Sequence, residues 1–264
     1  MTDTAALLEL AVRLARDASA LLIEGRTRRL LDVHTKSSGT DMVTEMDRAS
    51  EALIVAGLRA ERPQDAIVGE EGTADAGTSG VRWLVDPLDG TTNYLYGYPA
   101  FAVSIAAEVD DGVVAGAVVD ASTGDAFTAR KGEGAWCNDV PLRVNDQTDM
   151  ANALVGTGFS YLAARRERQA GVLETVLPAV RDIRRAGSAA LDLCWVACGR
   201  LDAFYEKGLG PWDLAAGALI AAEAGARTGD LSGGAPTTEF VLASAPALFD
   251  DLRALLTRAS AGDA

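Results

Sequence analysis

Histidine is nearly absent. His34 is the one histidine in 264 residues, so neither a histidine metal cluster nor a Ser-His-Asp triad can be built with confidence. Cysteine is scarce as well. Cys137, Cys194 and Cys198 are odd in number and match no zinc spacing. Cys194 and Cys198 lie four apart in an apolar, helical stretch and read as small buried hydrophobes, which suits a reducing cytoplasm. Long apolar runs are missing. Glu9, Arg13 and Arg16 interrupt the first apolar positions, unlike a secretion leader, and no stretch reaches the length that spans a bilayer. Basic residues are outnumbered, 24 against 38 acids, for a net charge of −14. That argues against a sequence-independent nucleic-acid surface. Anionic small molecules stay open, because bound cations invert a local field. Aromatics are 6% of a chain that is 48% hydrophobic, so the helices are expected to pack through Ala and Gly. The length allows one domain over 1–264, or sub-domains at about 1–145 and 146–264.

Periodicity predicts a mixed α/β pattern. A helix is expected over 3–25, with Leu7, Leu10, Leu14, Ala18 and Leu21 on one face. An extended segment over 31–36 and a turn at 37–39 follow. A second helix spans 44–62, with Thr44 and Asp47 as its capping box and Pro63 as its stop. A strand over 66–68 leads into a small-residue loop over 73–80. Strands over 101–109, 113–120 and 126–129 form a meander with turns at Asp110-Asp111-Gly112 and Ser122-Thr123-Gly124-Asp125. Beyond it come a helix over 163–180, a strand near 182–185, a helix over 188–198 capped by Ser188, a strand over 201–206, and a helix over 211–224. A strand near 240–243 and a helix over 246–258 close the pattern. Helices and sheets are expected to alternate in layers.

Asp86-Pro87-Leu88-Asp89-Gly90-Thr91-Thr92 is the most informative segment. Asp-Gly-Thr by itself is a common turn fragment. Here the β-prone run 81–85 places Asp86 where a buried strand ends, and two acids there repel each other. A bound cation would resolve that repulsion. Mg²⁺ takes oxygen ligands, usually one or two carboxylates plus phosphate oxygens. Gly90 and Thr91 add backbone N–H groups and a hydroxyl, a cradle for phosphate. Other acids also stand at element boundaries: Asp47 in the first turn of the second helix, Glu70 and Glu71 after a strand, and Asp213 at a helix start. Each alone reads as a helix-start charge or a surface acid. Loops on a rigid scaffold also build sites, but spacing does not show whether these converge.

Three motifs carry a resemblance: Gly69-Glu70-Glu71, then Trp83 through Tyr94, then Trp212-Asp213-Leu214-Ala215-Ala216-Gly217. In these, in order over about residues 5–230, the chain resembles the inositol monophosphatase family of Mg²⁺-dependent, lithium-sensitive phosphomonoesterases. It looks most like the actinobacterial inositol-1-monophosphatases. Supporting pieces are Lys36, the segment 41–47, Gly187-Ser188-Ala189-Ala190 and Glu206. The resemblance implies an α/β (α+β) fold, a layered αβαβα sandwich of the sugar-phosphatase type. It also implies a cytoplasmic homodimer with two or three Mg²⁺ ions, a small phosphate monoester as substrate, and no nucleic-acid or membrane contact.

By position, Glu70, Asp86 and the Leu88 carbonyl match the ligands of a first metal, and Asp86, Asp89 and Asp213 those of a second. Glu70 also matches a ligand of a looser third. Gly90 and Thr91 match the phosphate donors, and Thr91 with Asp47 the pair that orients the attacking water. Gly187, Ser188, Ala189 and Glu206 match the wall against the alcohol. Asp89 and Asp213 border the substrate too, and Lys36 matches a neighbour of the metals. Two ions about 4 Å apart can clamp the entering and leaving oxygens of an in-line displacement. Direct attack by water, with Thr91, Glu70 and Asp47 as the catalytic group and no phosphoenzyme, is the implied mechanism. Thr92, where histidinol-phosphate phosphatases of the family tend to carry Lys, favours inositol-1-phosphate. Fructose 1,6-bisphosphate, histidinol phosphate and 3′-phosphoadenosine 5′-phosphate are the alternatives within the family. A non-catalytic partner of a transcription complex is the alternative of another class.

Overall fold

The computed structural model describes residues 2–27, 33–35, 42–110 and 112–264, with backbone alone at 33–35 and 42–43. Lys36 lies outside the described residues. The chain runs α1 (Thr4–Thr27), β1 (Val33–Thr35), β2 (Met42–Thr44), α2 (Glu45–Glu61), β3 (Ala66–Gly69), β4 (Ala74–Asp75), β5 (Val81–Asp89), α3 (Thr91–Tyr96), β6 (Ala102–Val109) and β7 (Gly112–Asp120). It continues through β8 (Ala126–Arg130), β9 (Gly134–Cys137), β10 (Val140–Pro141), β11 (Leu154–Thr157), α4 (Ala163–Val176), β12 (Asp182–Arg184), α5 (Ala189–Ala197) and β13 (Ala203–Glu206). Then come α6 (Pro211–Glu223), β14 (Arg227–Gly229), β15 (Val241–Ser244) and α7 (Phe249–Arg258).

Five layers follow from alternation along the strands. Trp83, Val85, Val103 and Ile105 point to one face of an eight-stranded sheet, ordered β10-β9-β8-β7-β6-β5-β3-β4, and share a core with α1 and α2. Leu84, Ala102, Ala106 and Val118 point to the other face, onto α5 and α6. Phe204, Val241 and Ala243 of a five-stranded sheet, ordered β12-β11-β13-β15-β14, close on the same two helices. The opposite face of that sheet, with Ala203, Tyr205 and Leu242, packs under α4 and α7. This is the αβαβα sandwich. Among the described residues, no helix is long and apolar enough to cross a membrane.

Local signals account for much of this. Thr44 caps α2 and Asp47 closes the capping box, as the spacing predicts. Strands β4, β9, β10, β11 and β14 have two to four residues each and were not predicted from pattern; Gly156 inside β11 reads locally as a breaker. The helix expected to reach 180 stops at Val176 and tightens into a 3₁₀ turn over Leu177–Ala179, because Pro178 has no N–H for the α-helical ladder.

The correction that matters most concerns β5. The sequence places a strand end at Asp86, yet β5 continues to Asp89. Asp86 pairs with Ser104 and Asp89 with Ala102, so β5 advances three residues while β6 advances two. One extra residue is a bulge, and Pro87, lacking an N–H, is suited to it. In a regular strand, residues three apart face opposite sides. The bulge restores the parity of Asp86 and Asp89, and so bears directly on the site.

Candidate metal centre

Parallel pairing supplies the first acid. Gly69 of β3 lies opposite Val85 of β5, so the next residues stand side by side: Glu70 directly after the end of β3, and Asp86 at the start of the bulge in β5. The Glu70 N–H donates to the Val85 carbonyl at 3.1 Å. The third acid comes from the helix layer. Asp213 stands in the first turn of α6 and accepts from the Gly210 N–H at 2.7 Å. Ligand oxygens of Glu70, Asp86 and Asp213 lie within 4.8 Å of one another. Three acids far apart in sequence therefore converge.

The electrostatics show that this cluster fits a cation. Asp86 is 1% exposed. Burial, then Glu70, Asp89 and Asp213, push its carboxyl well above the usual carboxylate range. Burial, then Asp89 and Glu70, push Asp213 up too, and burial lifts Asp89 to about 6. Hard, buried, mutually repelling oxygen donors are the set that Mg²⁺ takes. A divalent charge among them would favour the ionised forms that protein groups alone do not support.

Asp89 stands outside the triad. Its Oδ2 accepts from the Ser188 hydroxyl at 2.6 Å and from the Ala190 N–H at 2.7 Å, so the start of α5 holds it. Ser188, expected on the alcohol wall, is 1% exposed, and its hydroxyl caps α5 and donates to Asp89. Gly187, Ala189 and Glu206 line the cavity of the site.

Thr91 opens α3, and its hydroxyl donates to Asp47 Oδ1 at 2.8 Å. Asp47 Oδ2 is held by the Thr44 N–H at 2.8 Å. Asp47 is fully buried, so it reaches a substrate only through Thr91. With its proton directed to Asp47, the Thr91 oxygen can accept from a water. Gly90, at φ +96°, is the left-handed residue before α3, and a side chain there would meet the Ala100 carbonyl at 2.8 Å. Glycine is what lets the backbone come this close.

Glu70, Asp86, Leu88, Asp89, Gly90, Thr91 and Asp213 line one cavity of about 270 Å³ with Gly187, Ala189 and Glu206. Arg165, Arg185 and Lys207 line it as well. They were not singled out from the sequence, because a basic residue beside a helix start or strand end reads as surface charge. Glu206 is pushed up to about 7 by burial, with Arg185 opposing. Its carboxyl group packs on Gly158, where a Cβ would stand 2.0 Å from Oε2. Gly158→Ala is therefore expected to fold and to displace Glu206, raising the substrate KM about tenfold, the scale of one charged hydrogen bond. An unchanged KM would remove Glu206 from the alcohol wall.

The model of the inositol monophosphatase family matches residues 3–260. The chain is 49% identical over 238 residues to "Inositol-1-monophosphatase SuhB" of Mycobacterium tuberculosis, covering 86% of this chain and 81% of that protein. It is 40% identical over 250 residues to "Nus factor SuhB" of Pasteurella multocida, covering 93% and 94%. Among solved structures, the extragenic suppressor protein suhB of Bartonella henselae superposes with a TM-score of 0.91 at 36% identity, covering 96% of this chain and 99% of that one.

Proposed function

The chain belongs to the inositol monophosphatase family and is a phosphoric monoester hydrolase; on that premise we propose that it hydrolyses inositol-1-phosphate to inositol and phosphate with Mg²⁺. The observation that carries this reading is the convergence of Glu70, Asp86 and Asp213 beside the Thr91–Asp47 hydrogen bond. Glu70, Asp86, Asp213, Asp89 and the Leu88 carbonyl would hold two or three ions. When bound, the metal supplies a lowered pKa for water and charge neutralisation at phosphoryl and leaving oxygens.

The protein's own groups do the rest. Thr91, its hydroxyl turned to Asp47, accepts from the attacking water and fixes its approach, and Glu70 is the proton acceptor beside it. Backbone N–H groups at Gly90 and Thr91 offer neutral donors to the phosphoryl oxygens. Glu206 accepts from hydroxyls of the alcohol, which suits a polyol. No nucleophilic side chain is required, so rapid quench with labelled substrate is expected to trap no phosphoprotein. Cytoplasmic residence and a homodimer belong to the same reading.

The test is phosphate release from inositol-1-phosphate, fructose 1,6-bisphosphate, histidinol phosphate and 3′-phosphoadenosine 5′-phosphate, with Mg²⁺ or EDTA. Mg²⁺-dependent preference for the first supports the reading. Preference for another ester moves the substrate and keeps the chemistry. Release from none favours the second reading, a transcription-complex partner, which the relatives named Nus factor support. The complete acid cluster speaks against a purely non-catalytic role.

A further inference from the structure

Three buried polar side chains on one helix reach three segments beside the acid cluster: the start of α3, the bulge of β5 and the turn after β3. Asp47, Ser50 and Glu51 of α2 are 0%, 0% and 5% exposed. Their spacing of three and four residues sets them on one face. Asp47 holds the Thr91 hydroxyl. The Ser50 hydroxyl donates to the Pro87 carbonyl at 2.8 Å. Glu51 Oε2 accepts from the Glu71 N–H at 2.8 Å, and Oε1 accepts from the Thr73 N–H at 3.2 Å and its hydroxyl at 2.7 Å.

We propose that α2 is the positioning element of the metal centre, with Ser50 and Glu51 as positioning residues that touch neither substrate nor metal. This rests on the Mg²⁺ reading above. Glu70 lies in a turn. One side of that turn is tied to the sheet through the Val85 carbonyl. The other side returns to β3 through the Gly69 N–H, which donates to the Thr73 carbonyl at 2.8 Å, and is gripped from α2 by Glu51, which holds the backbone directly after Glu70. The fit is close: a Cβ on Gly69 would stand 2.3 Å from Glu51 Oε2, so the carboxyl group packs directly against Gly69. Ser50 acts on the bulge between Asp86 and Asp89. Holding the Pro87 carbonyl sets the Pro87–Leu88 peptide plane, and with it the direction of the Leu88 N–H. The Leu88 N–H, bonded to Asp86 Oδ1 at 3.0 Å, ties that plane to a ligand. One rigid helix thus coordinates the placement of Glu70, of Asp86 with Leu88, and of Thr91. Supporting hydrogen bonds of this kind orient ligands, and losing one costs about 10–100-fold in metal affinity.

The test compares Glu51→Gln and Ser50→Ala with Asp65→Asn. Asp65 is equally buried, at 5% exposed, and is held by Arg62, Ser79 and Trp83 away from the cavity. Gln at 51 keeps the shape but turns one acceptor into a donor facing a donor. Mg²⁺ affinity is measured by calorimetric titration, folding by circular dichroism, and the Mg²⁺ dependence of kcat separately. Glu51→Gln is expected to bind Mg²⁺ about tenfold more weakly and to regain kcat at high Mg²⁺. Ser50→Ala should show a smaller loss in the same direction. Asp65→Asn should lose thermal stability but bind Mg²⁺ like the wild type. Wild-type Mg²⁺ affinity in folded Glu51→Gln overturns the proposal, as does an equal loss in Asp65→Asn. Should Glu51→Gln fail to fold, unchanged affinity in Ser50→Ala overturns it instead. A wild type that binds no Mg²⁺ removes the metal reading itself, a result distinct from all of these.

Discussion

Asp89→Asn is expected to fold like the wild type and to lose about a thousandfold in kcat/KM, the scale of removing a group aimed at the transition state. The geometry explains both halves. Asp89 Oδ2 accepts from two donors, the Ser188 hydroxyl and the Ala190 N–H. An asparagine satisfies both only by turning its carbonyl oxygen toward them. Its NH₂ group then points where a metal needs an oxygen, and an amide nitrogen that carries two hydrogens has no lone pair to give. The start of α5 therefore keeps its cap partner, which preserves the fold, while a ligand is replaced by a donor. Circular dichroism and Tm check the first half, and phosphate release at saturating Mg²⁺ checks the second. Full activity in a folded Asp89→Asn would remove Asp89 from the centre.

The second large effect is on stability without metal. In EDTA, Tm is expected to fall as pH rises from 5 to 8, by about 5–10 °C if the loss is a few kcal/mol in a domain of this size. Asp86 and Asp213 are pushed well above their ordinary value and Asp89 to about 6, all by burial first. Glu206 rises to about 7 for the same reason. A raised folded-state pKa means that the folded protein holds more protons than the unfolded chain, so stability falls with pH across the interval between the two values. For Asp89 that interval runs from about 4 to 6, and Asp86 and Asp213 act in the same sense. Asp65, lowered by its bonds to Arg62, Ser79 and Trp83 against the opposing effect of burial, acts in the opposite sense. Its contribution is lost only as pH falls below the ordinary carboxylate range, outside this window. Mg²⁺ should reverse the trend. Its ligands must be deprotonated, and binding to the folded state alone stabilises by mass action. The Mg²⁺-induced rise in Tm is therefore larger at pH 8 than at pH 5. A flat Tm in EDTA over that range, or no response to Mg²⁺ at pH 8, would contradict the assignment of these acids to one cluster.

Some of the site was legible in the sequence and some was not. The capping box Thr44–Asp47 was readable because both partners lie within one turn. The helices bearing Asp47 and Asp213 were readable from their start and stop signals, and the strand leading to Asp86 from its apolar, β-prone run. The bulge was not. Its sign is a register offset against β6, and register belongs to two strands at once. Ser188 was placed by position on the alcohol wall, but its hydroxyl turns to Asp89, 99 residues earlier. Arg165, Arg185 and Lys207 carry no local signal that separates a cavity wall from solvent.

By itself the sequence determined the residue types and the local frame: hard oxygen donors without histidine or thiol competitors, a proline where a strand can bulge, a glycine where α3 must open, and helices that begin at acids. These are properties of side-chain chemistry and of a few neighbouring dihedrals. Only the tertiary structure decided that Glu70, Asp86 and Asp213 share one space. Parallel pairing of β3 with β5 aligns the first two, and packing of α6 on the sheet delivers the third. Their convergence opposes their own repulsion, so no local preference of the chain can produce it. The burial of apolar surface between the layers holds the acids together, and a cation between them would relieve the remaining strain.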